Sequence, residues 1–366
     1  MRLLYVTDAL AICGGLERVL IDKANWLSEQ AGYEIHILTA NQGNHPIAYP
    51  IAPHIVHTDI AIQFYRQYQY TGINRLLVSR KLRKLFRKRL KNKIETFAPD
   101  IIVCIRLDYL TDIVKVKENI PLVFESHSSK IGYHFDESGL IRKWQIKLWQ
   151  QGVRNVQMTV ALTQGDAQEW KTLTSNVCVI PNIVHLNETG RYSNCTNKRA
   201  IFVGRLVEQK GLPDLITVWR IVNSRYPDWH LDIYGDGKMD SIPEIKLIVH
   251  PSTNNIMEEY INSSMLLMTS VYEPFGLVLP EAMSCGLPVV AFDCLYGPAD
   301  IIKHKSNGFL VPHRDASLFV DYVCELMESQ KLRQDMGVAG VKSVQCYHAD
   351  RIMPMWKELF ENLIQS

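Results

Sequence analysis

The 366-residue chain is 47% hydrophobic and 21% charged, enough to bury a substantial core but longer than one compact domain usually runs, so two domains are expected. A formal net charge of +2 excludes a molecule that binds nucleic acid over its whole surface and confines any basic function to a local patch. No run approaches the ~18 apolar residues of a membrane span. Eight cysteines without a C-x-x-C pair or a histidine cluster read as buried free thiols of a cytoplasmic chain, not as disulfides or metal ligands.

The first apolar run, residues 3–7, is closed by Asp8 and leads into ICGGLERV, residues 12–19, which suits a buried first strand better than a signal peptide. Gly14 and Gly15 precede a helix whose Leu16, Leu20, Ala24 and Leu27 line one face. Without Cβ atoms the backbone there can approach a ligand closely, and the helix start favours an anion. Taken alone, the pair is equally a tight strand-to-helix turn.

Further β-rich runs at 35–39, 101–105, 122–124 and 160–163 alternate with helical patterns, the signature of a parallel sheet covered on both faces. Between them, RLLVSRKLRKLFRKRLKNKI, residues 75–94, holds ten Lys or Arg and no acid, with Leu82, Leu85, Phe86 and Leu90 at helical spacing. A basic amphipathic helix of this kind suits an anionic membrane surface, and FYRQYQY at 64–70 adds aromatic residues suited to an interface. The plain alternative is a stripe packed on its own domain beneath solvated charges. Downstream, PLVFESHSS, residues 121–129, places His127 just after a strand, with Glu125 on the same strand face if the backbone stays extended.

Residues 183–198 are polar and aperiodic and read as a linker. Beyond them the scheme repeats, with runs at 201–203, 231–234, 247–249, 266–268 and 289–292. The segment IFVGRLVEQKG, residues 201–211, carries a strand into Gly204 and then presents Arg205 and Lys210. A planar fork and a compact point charge on one loop suit a diphosphate, although a loop of this kind is often only solvated surface. The GDG at 235–237 fails as a dinucleotide fingerprint because the third glycine is missing.

In EPFGLVLPEAMSCGLPVVAF, residues 273–292, Pro274 and Gly276 make a turn, and a helix opens at 277. Amides of Phe275, Gly276 and Leu277 could hold a phosphate. Glu273 stands before that helix and Glu281 about two turns inside it, so the two carboxylates could face different parts of one hydroxyl-rich ligand. The bland reading is a capping glutamate plus a solvated one. At the end, Trp356, Leu359, Phe360 and Leu363 form one apolar helical face. The expected division is 1–184, 199–349 and a C-terminal helix at 350–366 that packs back on the first domain. Two doubly wound domains in tandem would leave a cleft at the carboxyl ends of their strands.

The glycine pair after the first strand, G-R-x-x-x-x-K-G at 204–211 and E-x7-E at Glu273 and Glu281, supported by VIPNIV (179–184), SCGLPVVAF (284–292) and NGFLV (307–311), resemble the retaining nucleotide-sugar transferases of glycosyltransferase family 4. The resemblance runs over nearly the whole chain. It implies an α/β fold of the GT-B kind, two doubly wound Rossmann-like domains facing a central cleft. It also implies that Arg205 and Lys210 bind the donor diphosphate, Glu281 the ribose hydroxyls and Glu273 hydroxyls of the transferred sugar, with Phe275 to Leu277 beside sugar and phosphate. The family's histidine after a first-domain strand is met by His127, which would donate to a sugar hydroxyl. One departure is IVHPST at 248–253, where relatives often have a glycine near the base.

The activity implied is retaining transfer of a hexose or N-acetylhexosamine from a nucleotide sugar, UDP-linked by the likeness of FDCLYGPADII at 292–302, to a glycan or lipid-linked saccharide of the cell surface. No cofactor beyond the donor is expected. No D-x-D pair is present for a metal, so metal-independent transfer is expected. An epimerase or phosphorylase on the same plan, or a nucleotide-sugar-binding subunit without catalysis, are the alternatives.

Overall fold

The structure, a computed structural model, describes residues 1–133 and 139–365. Strands β1 (Arg2–Thr7), β2 (Glu34–Thr39), β3 (Val56–Asp59), β4 (Ile101–Cys104), β5 (Leu122–Glu125), β6 (Met158–Ala161) and β7 (Val177–Val179) form one sheet, in the order β3-β2-β1-β4-β5-β6-β7. Every pairing in it is parallel. β1, β4 and β5 are apolar and buried nearly end to end because helices cover both faces of a parallel sheet. Strand order reverses between β1 and β4, so the loops after these strands open at a topological switch point.

A second sheet repeats the plan with β8 (Arg199–Val203), β9 (His230–Tyr234), β10 (Leu247–His250), β11 (Met265–Met268), β13 (Val289–Asp293) and β15 (Gly308–Pro312), ordered β10-β9-β8-β11-β13-β15. A two-residue pair, β12 (Tyr272–Glu273) with β14 (Leu295–Tyr296), stands beside it. Each sheet has its own core: Leu4, Phe86, Leu110, Phe124 and Trp170 in the first, Phe202, Trp219, Leu231, Phe292 and Phe319 in the second.

The chain divides into two compact units, and the division is not sequential. Met1–Leu162, Asp166–Ile183 and the segment from Ile352 onward form the first; Thr163–Gly165 and Val184–Arg351 form the second. The final helix, Ala349–Gln365, buries Ile352, Met353, Trp356 and Phe360. Residues 184–198, read from their polarity as a linker, belong instead to the second unit. Cys195 is fully buried there, and the Arg333 guanidinium donates to its carbonyl at 3.0 and 2.8 Å. Local polarity misled because this segment is held by backbone hydrogen bonds, which leave no apolar period.

In the basic region, α2 runs Gly72–Phe97. Phe86, Leu90 and Ile94 are buried in the first core, and Leu82 and Leu85 pack against it. Arg83 and Arg87 each place a guanidinium nitrogen 2.6 Å from Asp112, on α3 (Leu107–Val114). Thus the apolar stripe is domain core, not a membrane-facing surface, and three of the ten cations are ion-paired, Arg83 and Arg87 with Asp112 and Lys91 with Glu95 and Glu118. The exposed apolar residues lie earlier: Tyr65, Tyr68 and Tyr70, then Ile73, Leu76 and Leu77 on the first turns of α2.

Beside α2, His36 of β2 is buried with Nε2 2.9 Å from Thr58 Oγ1 and its ring edge against Phe97. Burial first, then Lys93 and His57, depress its pKa to about 4. A histidine lowered on folding is protonated first in the unfolded chain, so its contribution to stability is present above about pH 6.5 and declines as pH falls toward 4. Denaturant titrations at pH 7.5 and 5 are expected to show His36→Gln losing about 1 kcal/mol less than the parent on acidification, after allowance for solvent screening. Equal losses would show that His36 does not drive the acid sensitivity.

Candidate functional site

β8 delivers Gly204 and Arg205 to the loop at its carboxyl end, because Gly204 N–H donates to Tyr234 O and Leu206 N–H to Asp236 O. These bonds tie the loop to the GDG turn after β9. A Cβ on Gly235 would stand 1.9 Å from Gly204 O, so this glycine serves close approach of two loops. The chain then makes a 3-10 turn, Glu208–Lys210, ends it at left-handed Gly211, and enters the helix Leu212–Arg225. Lys210 is thereby fixed at a helix threshold, its carbonyl accepting from Thr269 Oγ1 at 3.2 Å.

Glu273 comes to Lys210 from the other side of the switch between β8 and β11. The Lys210 ammonium is ion-paired with Glu273 Oε1, which also accepts from Ser270 Oγ at 2.7 Å. Both side chains are largely buried, at 14% and 6% exposure. Val271 N–H to Gln209 O at 2.8 Å and Gln209 Nε2 to Tyr272 O at 3.1 Å lock the two loops together. No described residue bonds Glu273 Oε2, which leaves that oxygen for a ligand hydroxyl. Arg205 is exposed and, among the described residues, its guanidinium has no ion-pair or hydrogen-bond partner. A paired lysine and a free guanidinium from one loop give a cationic edge fitted to phosphate oxygens.

Phe275 is buried against Tyr347, with ring centroids 5.3 Å apart, and Gly276 turns the chain with φ +87°. The helix that follows is short, Val278–Ser284, with Leu277 at its N-cap. Glu281 therefore sits on its first turn, buried, not two turns inside as the spacing suggested. The helix opens within one residue of the expected start, and the four residues from 277 to 281 make about one turn, whereas two turns is the spacing from Glu273. A carboxylate there is favoured by the helix dipole.

In the first unit, α1 (Gly15–Glu29) starts at Gly14 as N-cap. A Cβ on Gly14 would lie 2.7 Å from Glu17 Oε2, so a carboxylate of the chain itself stands over the glycine pair expected to receive an anion. His127 follows β5 and is buried, with Nε2 3.0 Å from Glu125 Oε1. The separation is within hydrogen-bond reach, although Nε2 makes no well-directed bond.

Sequence reading missed what stands behind Glu125. Lys23, fully buried on α1, is ion-paired with Glu125 Oε2. Its ammonium lies 3.9 Å from the Trp356 ring centroid and 5.5 Å from that of Tyr5. Burial lowers the Lys23 pKa while Glu125 opposes the shift. Burial would raise the Glu125 carboxyl, but Lys23 and then His127 outweigh it and hold it well below the usual carboxylate range. The signal was available: Lys23 lies three residues after Leu20 and four before Leu27, a charge inside an apolar stripe.

Residues 13–188 match the family model Glycosyltransferase Family 4, and residues 191–343 match Glycosyl transferases group 1. The amylovoran biosynthesis glycosyltransferase AmsD of Erwinia amylovora is 29% identical, over 98% of this chain and 99% of its own. An uncharacterized glycosyltransferase of Haemophilus influenzae is 28% identical, over 94% and 95%. Among solved structures, a TarM variant of S. aureus in complex with Fondaparinux, alpha-GlcNAc-glycerol and UDP superposes with a TM-score of 0.79 at 15% identity, over 100% of both chains. That likeness gives the fold.

Proposed function

The chain belongs to glycosyltransferase family 4 with the GT-B fold, and from that premise we propose that it moves a hexose or N-acetylhexosamine from a UDP-linked donor to a glycan or lipid-linked saccharide. The observation that carries this reading is the Lys210–Glu273 ion pair with free Arg205 on the same loop. Breaking the anomeric bond releases a nucleoside diphosphate and leaves positive character on the sugar, so charge on the leaving phosphates is what the site must stabilise. Arg205 and Lys210 do this, assisted by amides from Phe275 to Leu277. Glu273 Oε2 takes sugar hydroxyls, Glu281 the ribose, and His127 a further sugar hydroxyl. Two side-chain cations on the phosphates support transfer without a metal, and retention of configuration is what the resemblance to the retaining family implies. The UDP held by the TarM variant supports the nucleotide, and the amylovoran relative supports a cell-surface glycan as the acceptor class.

A panel of nucleotide sugars tests the reading. UDP-hexose or UDP-N-acetylhexosamine is expected to be hydrolysed slowly to UDP, faster with a saccharide acceptor, and at an unchanged rate in EDTA. Epimerisation without acceptor, dependence on free phosphate, or failure to turn over any donor would each replace it. Loss of turnover in EDTA, restored by a divalent cation, would overturn metal independence alone.

The acceptor side is the anionic membrane surface, met by the exposed start of α2 and not by its buried stripe. No helix of the described residues is long and apolar enough to cross a membrane. Tyr65, Tyr68, Ile73 and Leu76 stand exposed beside Arg75, Arg80 and Lys81, an apolar patch with cationic neighbours that suits the headgroup boundary. Flotation with vesicles containing anionic lipid is expected to carry the protein, and Ile73→Ser with Arg80→Gln and Lys81→Gln to abolish this. Binding indifferent to lipid charge and to these substitutions would remove the membrane from the reading.

A further inference from the structure

The buried triad Lys23, Glu125 and His127 lies wholly within the first unit; His127 meets the family's histidine, whereas Lys23 and Glu125 belong to none of the motifs. A salt bridge between fully buried partners is weak evidence for stability, since apolar residues of similar volume generally serve as well. A leucine at 23 would simply continue the face of Leu16, Leu20 and Leu27. The arrangement is directional: Lys23 takes Glu125 Oε2, and Oε1 faces the imidazole. The groups around the carboxylate are Lys23 from α1, Tyr5 from β1 and His127, with Trp356 from the final helix covering the ammonium. Glu125 thus stands in a dry pocket as a fixed negative pole.

An ionised oxygen 3.0 Å from Nε2 repels a lone pair on that nitrogen and attracts a proton, whether or not the N–H is well aligned. The proton of a neutral His127 is therefore held on Nε2. Nδ1, which has no hydrogen-bond partner among the described residues, is left with an unpartnered lone pair. We infer that Lys23 and Glu125 are positioning residues that fix the tautomer and orientation of His127, so that its Nδ1 accepts a hydrogen bond from a hydroxyl of the transferred sugar. This rests on the proposed glycosyl transfer for the identity of the hydroxyl, but the tautomer does not. It also reverses the direction first expected, in which the ring donates.

Glu125→Gln separates the possibilities. The amide keeps the shape; its oxygen must go to Lys23, which has only donors, so its NH2 faces His127 Nε2 and the proton moves to Nδ1. In protein labelled with 15N-histidine, with the His127 resonance assigned through His127→Gln, the parent is expected to show a protonated Nε2 and a bare Nδ1, and Glu125→Gln the reverse. In a transfer assay kcat should fall about 10²-fold with donor KM within about threefold. A protonated Nδ1 in the neutral parent overturns the inference without any variant. So does an unchanged tautomer in Glu125→Gln, or a kcat retained within about threefold. If the parent transfers no sugar from any nucleotide, the proposed function fails, and the tautomer measurement still decides whether Glu125 orients His127.

Discussion

Lys210→Ala is expected to lower sugar transfer by about 10³-fold, the scale of losing a preorganised charge at a developing anion, in a protein that remains folded. The side chain retains 14% exposure and makes one ion pair, so its removal opens no large cavity. It does leave Glu273 buried with only Ser270 as partner, which costs about 2 kcal/mol of stability because an uncompensated carboxylate remains. Lys210→Ala with Glu273→Gln is expected to recover that stability and none of the activity, which separates folding from chemistry. Lys210→Arg retains charge but brings a wider, planar head to a compact site, and should recover a minor part of the rate. Undiminished turnover by Lys210→Ala would refute the assignment.

The second large effect is structural. Gly211→Ala should destabilise the second unit by about 3–4 kcal/mol. At φ +64°, ψ 34° any Cβ is strained, and here it would also lie 1.9 Å from Thr269 O and 2.9 Å from Thr269 C, both backbone. The end of β11 would have to shift, and with it the loop that carries Ser270 and Glu273. Gly190→Ala is the control, since its φ of +71° meets no atom within 4 Å and should cost about 1 kcal/mol. Denaturant midpoints of the two variants give the comparison. Equal losses would show that strain alone, not the contact with Thr269, fixes this residue.

What the sequence disclosed followed from how local the physics is. Continuous apolar runs marked β1, β4, β5, β11 and β13 because those strands are buried on both faces. VHTD of β3, half exposed at the sheet edge, has no such run and went unread, as did β7, of which only Val179 entered through VIPNIV, and β15, which entered only through NGFLV. G-R-x-x-x-x-K-G and E-x7-E were legible as spacings, but the Lys210–Glu273 contact joins residues 63 positions apart, and no local pattern announces it. Conversely, the basic stripe of α2 looked amphipathic, and only tertiary packing shows Phe86 and Leu90 inside the core and Arg83 with Arg87 on Asp112. Lys23 carried the plainest overlooked signal, a cation on a buried helix face whose partner lies 102 residues away.

The central claim is that the second unit grips a pyrophosphate through Arg205 and Lys210. Calorimetric titration of UDP, UMP and uridine into the parent, Arg205→Ala and Lys210→Ala tests it most directly. UDP should bind the parent at least about tenfold more tightly than UMP, with uridine weaker still, and each alanine variant should lose that preference. Equal affinities for UDP and uridine, or an undiminished preference for UDP in both variants, would contradict it.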